Sequence, residues 1–447
     1  MGELSAVPYL PQPEVAVVLA AGRGERLRPL TLTRPKPLLE VGGRPLLAYT
    51  LSAIEAIGIP RAIVVVSYME EAIRSWLKQH APRGLEVECI RQPEPRGTAD
   101  AIAVAAGGLS SGEEALVVYG DLFVMPEAIR AVVEEHLRHR PLATIAAAPV
   151  GTRDLGRFGV IRAEEGWLRE VVEKPEAWSG RPLANAGIYI LTPEALKAMG
   201  AVRPSKRGEL EATAALQELA RQGDCVRVVE ISPEGWLDVG RPWDLLEANE
   251  RALRHLRPCI LGEVEPGANL IGPVFVAEGA RVRSGAYIEG PAFIGPGSDI
   301  GPNCYIRPCT SLSSNVRIGN ACEVKNSIVM EGTHIGHLSY VGDSVIGAYC
   351  NLGAGTITAN LRFDKANIRM TVKGARVDTG RRKLGAIMGD FVQTGVGALF
   401  MPGVRVWPRC WIGANVVVER DITEEGKFIR LVQELAVRDA WAGPGKA

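Results

Sequence analysis

The order of apolar and polar residues changes character once along this chain. Up to about residue 250, short apolar runs alternate with amphipathic stretches. Val15-Ala16-Val17-Val18-Leu19 is uninterrupted and rich in β-branched residues, the pattern of a strand buried on both faces of a parallel sheet. Similar runs at 62–66, 85–90, 115–119, 143–150, 187–191 and 225–231 predict further strands. Helical spacing falls between several of them, at 70–80, 127–137 and 209–221. Such alternation predicts an α/β domain, a mostly parallel Rossmann-like sheet with helices on both faces. Residues 242–256 read as a helix of good formers leading out of this unit, and Arg257-Pro258 ends it.

From residue 264 apolar residues recur at every sixth position: Val264, Leu270, Val276, Val282, Ile288, Ile294, Ile300, Ile306, Leu312, Ile318, Val324 and Met330. Neither a helix nor a plain strand has that period. A hexapeptide repeat predicts a β-solenoid whose coils stack into one continuous core. The period resumes at Met388, Thr394, Phe400, Val406, Ile412 and Val418. It shortens to five twice, from Met330 to Ile335 and from Val341 to Ile346, and local breaks of a regular pattern are expected where function overrides it. The predicted division is a first domain at 1–240, a linker helix at 241–262, a solenoid at 263–423 and a C-terminal helix and tail at 424–447.

Length and charge narrow the field. A chain of 447 residues exceeds one core, which agrees with the change of pattern. Formal net charge is zero, which argues against a nucleic-acid surface. No apolar run approaches the roughly 18 residues of a membrane span, and the N-terminus lacks the basic-then-apolar order of a signal peptide. Eight cysteines are scattered without a Cys-x-x-Cys pair, so they read as reduced thiols of a cytoplasmic protein.

Directly behind the first apolar run stands LAAGRGERLRPLTLTRPKPLL, residues 19–39. Gly22 and Gly24 permit a tight turn and close approach of a ligand. A dinucleotide fingerprint needs a third glycine opening a helix, and a P-loop needs Gly-Lys-Ser/Thr; both are absent. Arg26, Arg28, Arg34 and Lys36 follow instead, either as a basic surface turn or as cations gathered around a polyphosphate. Gly-x-Gly-x-Arg followed by Pro-Lys-Pro-Leu resembles the signature of the sugar-1-phosphate nucleotidylyltransferases. The resemblance implies that Leu19, Ala21, Gly22 and Gly24 wrap a nucleoside triphosphate whose phosphates Arg26 and Lys36 hold.

Further segments extend that likeness. RQPEPRGTADAI resembles the base-reading loop, with Gln92, Gly97 and Thr98 against the pyrimidine of UTP or dTTP. A glutamine amide both donates and accepts, which suits an imide edge. Asp121 in VVYGDLF and Asp238 in GWLDVGRPWDLLEAN match the family's Mg2+ ligands, and oxygen ligands suit that ion. VVEKP supplies Glu173 for sugar hydroxyls and Lys174 for the sugar phosphate; Gly159, Asn185 and Gly187 complete that subsite. The implied reaction is in-line attack of a sugar phosphate on the α-phosphate, driven by positioning and charge neutralisation.

The second half resembles the left-handed parallel β-helix of hexapeptide-repeat acyltransferases, which usually form trimers. GHLSYVGDSVIGAYCNLGAGTITAN, residues 336–360, resembles the acetyl-transfer segment of the bifunctional enzymes that make UDP-N-acetylglucosamine. His337 matches the general base that deprotonates the amine of a hexosamine-1-phosphate attacking acetyl-CoA. An imidazole titrating near about pH 6.5 serves that step at neutral pH. Tyr340, Asn351 and Asn360 match acceptor-sugar contacts. Arg307 lies eighteen residues before Lys325, so the two should stack on adjacent coils, and both match contacts to the sugar phosphate. Glu323 shares their face and could orient His337. Ala354, Thr394, Ala414 and Arg430 match acetyl-CoA positions. His334 with His337 lacks the further ligands a metal site needs.

The chain departs from the bacterial pattern where Leu361 follows Asn360 and a longer segment, 361–386, replaces a short loop. Lys365 and Lys383 are the lysines there that could touch acceptor or coenzyme. This version resembles archaeal-type relatives. Two other readings stand beside the bifunctional one. One is a nucleotidylyltransferase using glucose-1-phosphate with dTTP, or mannose-1-phosphate with GTP, whose solenoid only assembles oligomers. The other is a non-enzymatic scaffold like the subunits of the translation-initiation exchange complex. The cation and carboxylate set speaks against the scaffold, and His337 with Arg307 and Lys325 against pure assembly.

Overall fold

The computed structural model describes residues 12–205 and 207–435. The N-terminal domain is built on a nine-stranded sheet. Its order is Glu86–Arg91, Arg61–Val66, Val15–Leu19, Ala115–Tyr119, Leu183–Leu191, Ala143–Pro149, Val226–Glu230, Trp167–Glu173 and Gly159–Glu164. Val15–Leu19 pairs in parallel with Arg61–Val66 on one side and Ala115–Tyr119 on the other, and its first four residues are fully buried.

Only half of this sheet is parallel. Leu183–Leu191 runs antiparallel to both of its neighbours, and the far edge is an antiparallel hairpin of Gly159–Glu164 with Trp167–Glu173. The turn between those two strands is Glu165-Gly166, both with positive φ (51° and 80°), which is the two-residue geometry that joins antiparallel strands. The helix expected at 70–80 is Glu70–His80, and those expected at 127–137 and 209–221 are Pro126–His139 and Ala212–Ala220. Leu46–Ala56 is a further helix, and it carries little amphipathic pattern because most of its residues are buried.

The linker helix Pro242–Arg254 leads into the solenoid, whose first strand is Cys259–Ile260. Three parallel sheets of eight, nine and eight short strands stack as a left-handed parallel β-helix around one column of apolar side chains. Partners stand eighteen residues apart in the first coils, as Leu270 with Ile288 and Ile288 with Ile306. The first short step falls one hexapeptide earlier than the sequence suggests. Val329, not Met330, pairs with the inward column at Leu312, and Met330 is buried in a separate cluster against the N-terminal domain. The second short step, Val341 to Ile346, lies where expected.

Where a C-terminal helix was expected from 424, Phe428–Ile429 instead adds a strand beside Trp411–Ile412, and no helix forms up to residue 435. Residues 436–447 lie outside the described residues. The segment 361–386 is an insertion carrying the hairpin Arg369–Val372 with Ala375–Asp378. Ile368, Met370 and Leu384 from it are buried in one cluster with Leu27, Leu30, Trp243 and Leu246. Polar ties reinforce the interface: Asn249 accepts from Ser311 Oγ (2.6 Å) and donates to the Cys309 carbonyl (2.8 Å), and Arg34 pairs with Glu331.

Candidate active sites

The N-terminal site is a cavity of about 360 Å³ at the carboxyl ends of the central strands, where open α/β sheets bind ligands. It is lined by Leu19, Ala21, Gly22, Arg26, Lys36, Gln92, Gly97, Thr98, Asp121, Gly159, Glu173, Lys174, Asn185, Gly187 and Asp238. Gly24 is the one expected residue that stays out. Its φ of 62° starts the short helical turn Glu25–Leu27, and a Cβ there would stand 2.9 Å from Thr31 Cγ2. Gly24 therefore shapes the loop that presents Arg26.

At the floor of the cavity, cations and carboxylates converge. Lys36 Nζ lies 2.5 Å from Asp121 Oδ2 and 3.9 Å from Asp238 Oδ1, so the two carboxylates already share one cation. Asp238 is half-buried, and its partial loss of water opposes ionisation; Lys36, Arg157 and Arg26 outweigh that and hold its carboxyl below the usual range. Arg157 went unrecognised in the sequence. Its Nη2 is 3.5 Å from Asp238 Oδ2 and donates to Asp244 Oδ2 at 2.8 Å, which ties the carboxylate to the start of the linker helix.

Gln92 is only 2 % exposed. Its Nε2 donates to Asp100 Oδ2 (2.6 Å) and weakly to the Gly97 carbonyl (3.4 Å). Both amide hydrogens are thus committed, and Oε1 accepts from no described residue. The earlier expectation of a simultaneous donor and acceptor is narrowed to acceptance alone.

The antiparallel hairpin sets the side of the cavity where the sugar phosphate is expected. Glu173 Oε1 accepts from Thr213 Oγ1 (2.7 Å), and a side chain at Gly159 would run into it. Burial pushes the Glu173 carboxyl up, only partly offset by Thr213; burial and Arg207 push the Lys174 ammonium down. Asn185 and Tyr189 fix each other by two hydrogen bonds, and Gly187, at φ 70°, leaves room for the Tyr119 ring. Arg207, Glu209 and Glu211 also reach the cavity wall; nothing in their sequence pattern announced it.

On the solenoid, the strands Tyr305–Ile306, Glu323–Lys325 and Tyr340–Gly342 are consecutive in one sheet, so Arg307 stacks beside Lys325 as expected. Arg307 Nη1 pairs with Glu323 Oε1 at 2.8 Å. Glu323 is thereby engaged with Arg307, and its expected role of orienting His337 finds no contact. Asn360 Nδ2 donates to Tyr340 Oη at 3.0 Å, bringing those two together. Asn351 stands on a different sheet, between His334 and Gln393.

His337 is exposed at a corner of the solenoid, and its ring has no partner among the described residues. Gly336, Gly353, Gly395 and Gly413 repeat at that corner on successive coils, each donating its N–H to the next coil. His337, Ala354, Val396 and Ala414 follow them in a line, with Arg430 at the same corner beyond. Thr394 does not belong to this line. Its Oγ1 lies 2.7 Å from Thr356 Oγ1 inside the solenoid and accepts from the Gly353 N–H, so its side chain is closed to a coenzyme. Lys365 and Lys383 are both exposed, and neither side chain makes a hydrogen bond or ion pair among the described residues.

A Rossmann-like domain with this cluster of cations and carboxylates, joined to a hexapeptide solenoid with a free corner histidine, defines a nucleotidyltransferase fused to an acyltransferase. A family model described as "Nucleotidyl transferase" matches residues 15–255, and one described as "GMPPB C-terminal domain" matches 288–384. "Bifunctional protein GlmU" of Methanocaldococcus jannaschii is 41 % identical over 95 % of this chain and 99 % of that protein. "Bifunctional sugar-1-phosphate nucleotidylyltransferase/acetyltransferase" of Sulfurisphaera tokodaii is 39 % identical over 93 % of this chain and all of that protein. "Glucose-1-phosphate thymidylyltransferase" of Streptomyces griseus is 37 % identical over 75 % of this chain and 92 % of that protein. The chain belongs to the family of bifunctional sugar-1-phosphate nucleotidylyltransferase/acetyltransferases.

Proposed function

We propose that the C-terminal domain acetylates glucosamine-1-phosphate with acetyl-CoA, and that the N-terminal domain couples the N-acetylglucosamine-1-phosphate to UTP, releasing pyrophosphate. The observation that carries both halves is the retention of two equipped sites in one chain: the cavity around Arg26, Lys36, Asp121 and Asp238, and the corner line headed by His337. In the first site, a sugar phosphate oxygen held by Lys174 attacks the α-phosphate, and Arg26 and Lys36 stabilise the developing charge. Asp121 and Asp238 would hold Mg2+, since two carboxylates plus phosphate oxygens match that ion's habit and these two already converge on one cation. The metal would supply charge neutralisation at the triphosphate. In the second site, His337 takes the proton from the attacking amine as the thioester is exchanged for an amide and a free thiol.

dTTP is the alternative nucleotide, because acceptance by Gln92 Oε1 suits either pyrimidine. The thymidylyltransferase likeness keeps open a reading in which the solenoid only assembles the protein. No described helix is long and apolar enough to cross a membrane; we assign the protein to the cytoplasm from the scattered spacing of its cysteines. A screen of purified protein against nucleotides, sugar phosphates and acetyl-CoA, following pyrophosphate and free thiol separately, tests the whole. Pyrophosphate should appear with UTP or dTTP and vanish with chelator, and thiol should appear only with an amino-sugar phosphate. GTP or ATP outpacing both pyrimidines would overturn the base reading, undiminished rates in chelator the metal, and no thiol with any amino-sugar phosphate the acetyl half.

A further inference from the structure

Asp343 stands at the centre of the solenoid's polar face, although no motif pointed to it. It occupies a left-handed corner (φ 50°) and is 2 % exposed. Its Oδ2 accepts from Lys325 Nζ (3.0 Å) and from Asn360 Nδ2 (2.6 Å), and its Oδ1 accepts from Asn326 Nδ2 (2.9 Å). Two residues matched to the acceptor sugar are thus held by one buried carboxylate. Asn326 Nδ2 also donates to Glu250 Oε1 (3.1 Å) on the linker helix, where Arg381 Nη2 of the insertion donates as well (2.6 Å). A single chain of hydrogen bonds runs from the linker helix to the face that carries Tyr340.

We propose that Asp343 is a positioning residue of the acetyl-transfer site, which fixes the Lys325 ammonium and the Asn360 amide toward the amino-sugar phosphate and is itself kept in register by Glu250 through Asn326. The inference rests on the assignment of Lys325 and Asn360 to that acceptor. The physical reason is economy of freedom. A lysine side chain loses much rotamer entropy on binding a phosphate, and a buried carboxylate that holds the ammonium beforehand removes that cost from the binding step. Lys325 keeps donors for the phosphate because an ammonium has three and Asp343 takes one.

The test is steady-state acetyl transfer with glucosamine-1-phosphate on Asp343→Asn, Lys325→Ala and the double variant, with melting temperature and nucleotidyl transfer measured on the same preparations. Asp343→Asn should raise KM for the amino-sugar phosphate about tenfold, with kcat, the KM for acetyl-CoA and nucleotidyl transfer nearly unchanged. The double variant should be little worse than Lys325→Ala, because the two act as one unit. Losses that multiply, or a fall in kcat with KM unmoved, would overturn the inference. Should Asp343→Asn melt early, Glu250→Ala leaves the solenoid's own contacts intact; it should raise the same KM about threefold, and an unaltered KM there would overturn the tie to the linker helix. A parent protein without any acetyl transfer would fail the underlying assignment instead, which is a separate outcome.

Discussion

At the scale of single residues, the two sites differ in how much of their chemistry is pre-set. Glu173 is half-buried, and the loss of water pushes its carboxyl above the ordinary 4.5 even though the hydrogen bond from Thr213 opposes the shift. With the folded value above the unfolded one, the folded chain keeps this proton where the unfolded chain has lost it, and its contribution to stability falls as pH rises through that window. Sugar hydroxyls need the ionised form as acceptor, so KM for the sugar phosphate in nucleotidyl transfer should rise as pH falls through the raised value. Glu173→Gln should show a raised KM that is flat over the same range; matching pH profiles in parent and variant would remove the role. His337 is the opposite case, an exposed ring without a partner among the described residues. His337→Ala should lower acetyl transfer by roughly 10²–10⁴-fold, the usual worth of a positioned base, and leave nucleotidyl transfer unchanged. A variant that melts normally and acetylates at the parent rate would leave the corner line without a base.

Why some of this was legible and some was not follows from sequence separation. Glycine, lysine and carboxylate motifs after strands announce the cavity because each is local. Asp343 contacts residues a coil away and Arg157 contacts carboxylates 81 and 87 residues further on, and local pattern carries no trace of that. Thr394 was legible in principle: it holds an inward position of the hexapeptide column, and that periodicity places its side chain in the interior.

At the scale of elements, the antiparallel hairpin at the sheet edge escaped the hydrophobic pattern because charged residues interrupt Gly159–Glu164 and Trp167–Glu173. The choice of Val329 over Met330 could not come from the period either, since both are apolar neighbours. It is settled by the N-terminal domain, which covers Met330. The insertion has an equally non-local role. Met370 is fully buried in the interdomain cluster, and its hairpin serves as a brace between the domains. Met370→Ala should cost about 2–5 kcal/mol in urea unfolding, the usual range for a large buried side chain cut to alanine. Lys373→Ala, at the exposed ion pair with Glu25, should change stability by less than about 1 kcal/mol. Unchanged unfolding of Met370→Ala would sink the brace.

At the scale of the whole molecule, we propose that the solenoid is completed by further copies of the same chain. Its later coils expose Tyr349 (52 %), Val396 (61 %), Trp411 (59 %) and Phe428 (61 %), more apolar surface than scattered single residues. Asn351 lies on a different sheet from Tyr340, and Asn360 follows the strand that pairs with Tyr340, so in our proposal these matched acceptor residues would meet where one chain presents Asn351 to its neighbour's Asn360. The proposed threefold assembly of solenoids would do this and would cover the apolar coils at the same time. Light scattering should give three times the 48.0 kDa chain under native conditions. Mixed assemblies of Asn351→Ala and Asn360→Ala chains should recover part of the acetyl transfer that each variant loses alone, because some boundaries then pair two intact faces. A monomer in solution, or mixed assemblies no better than either parent variant, would place the whole acceptor site within one chain and leave the exposed coils to another purpose.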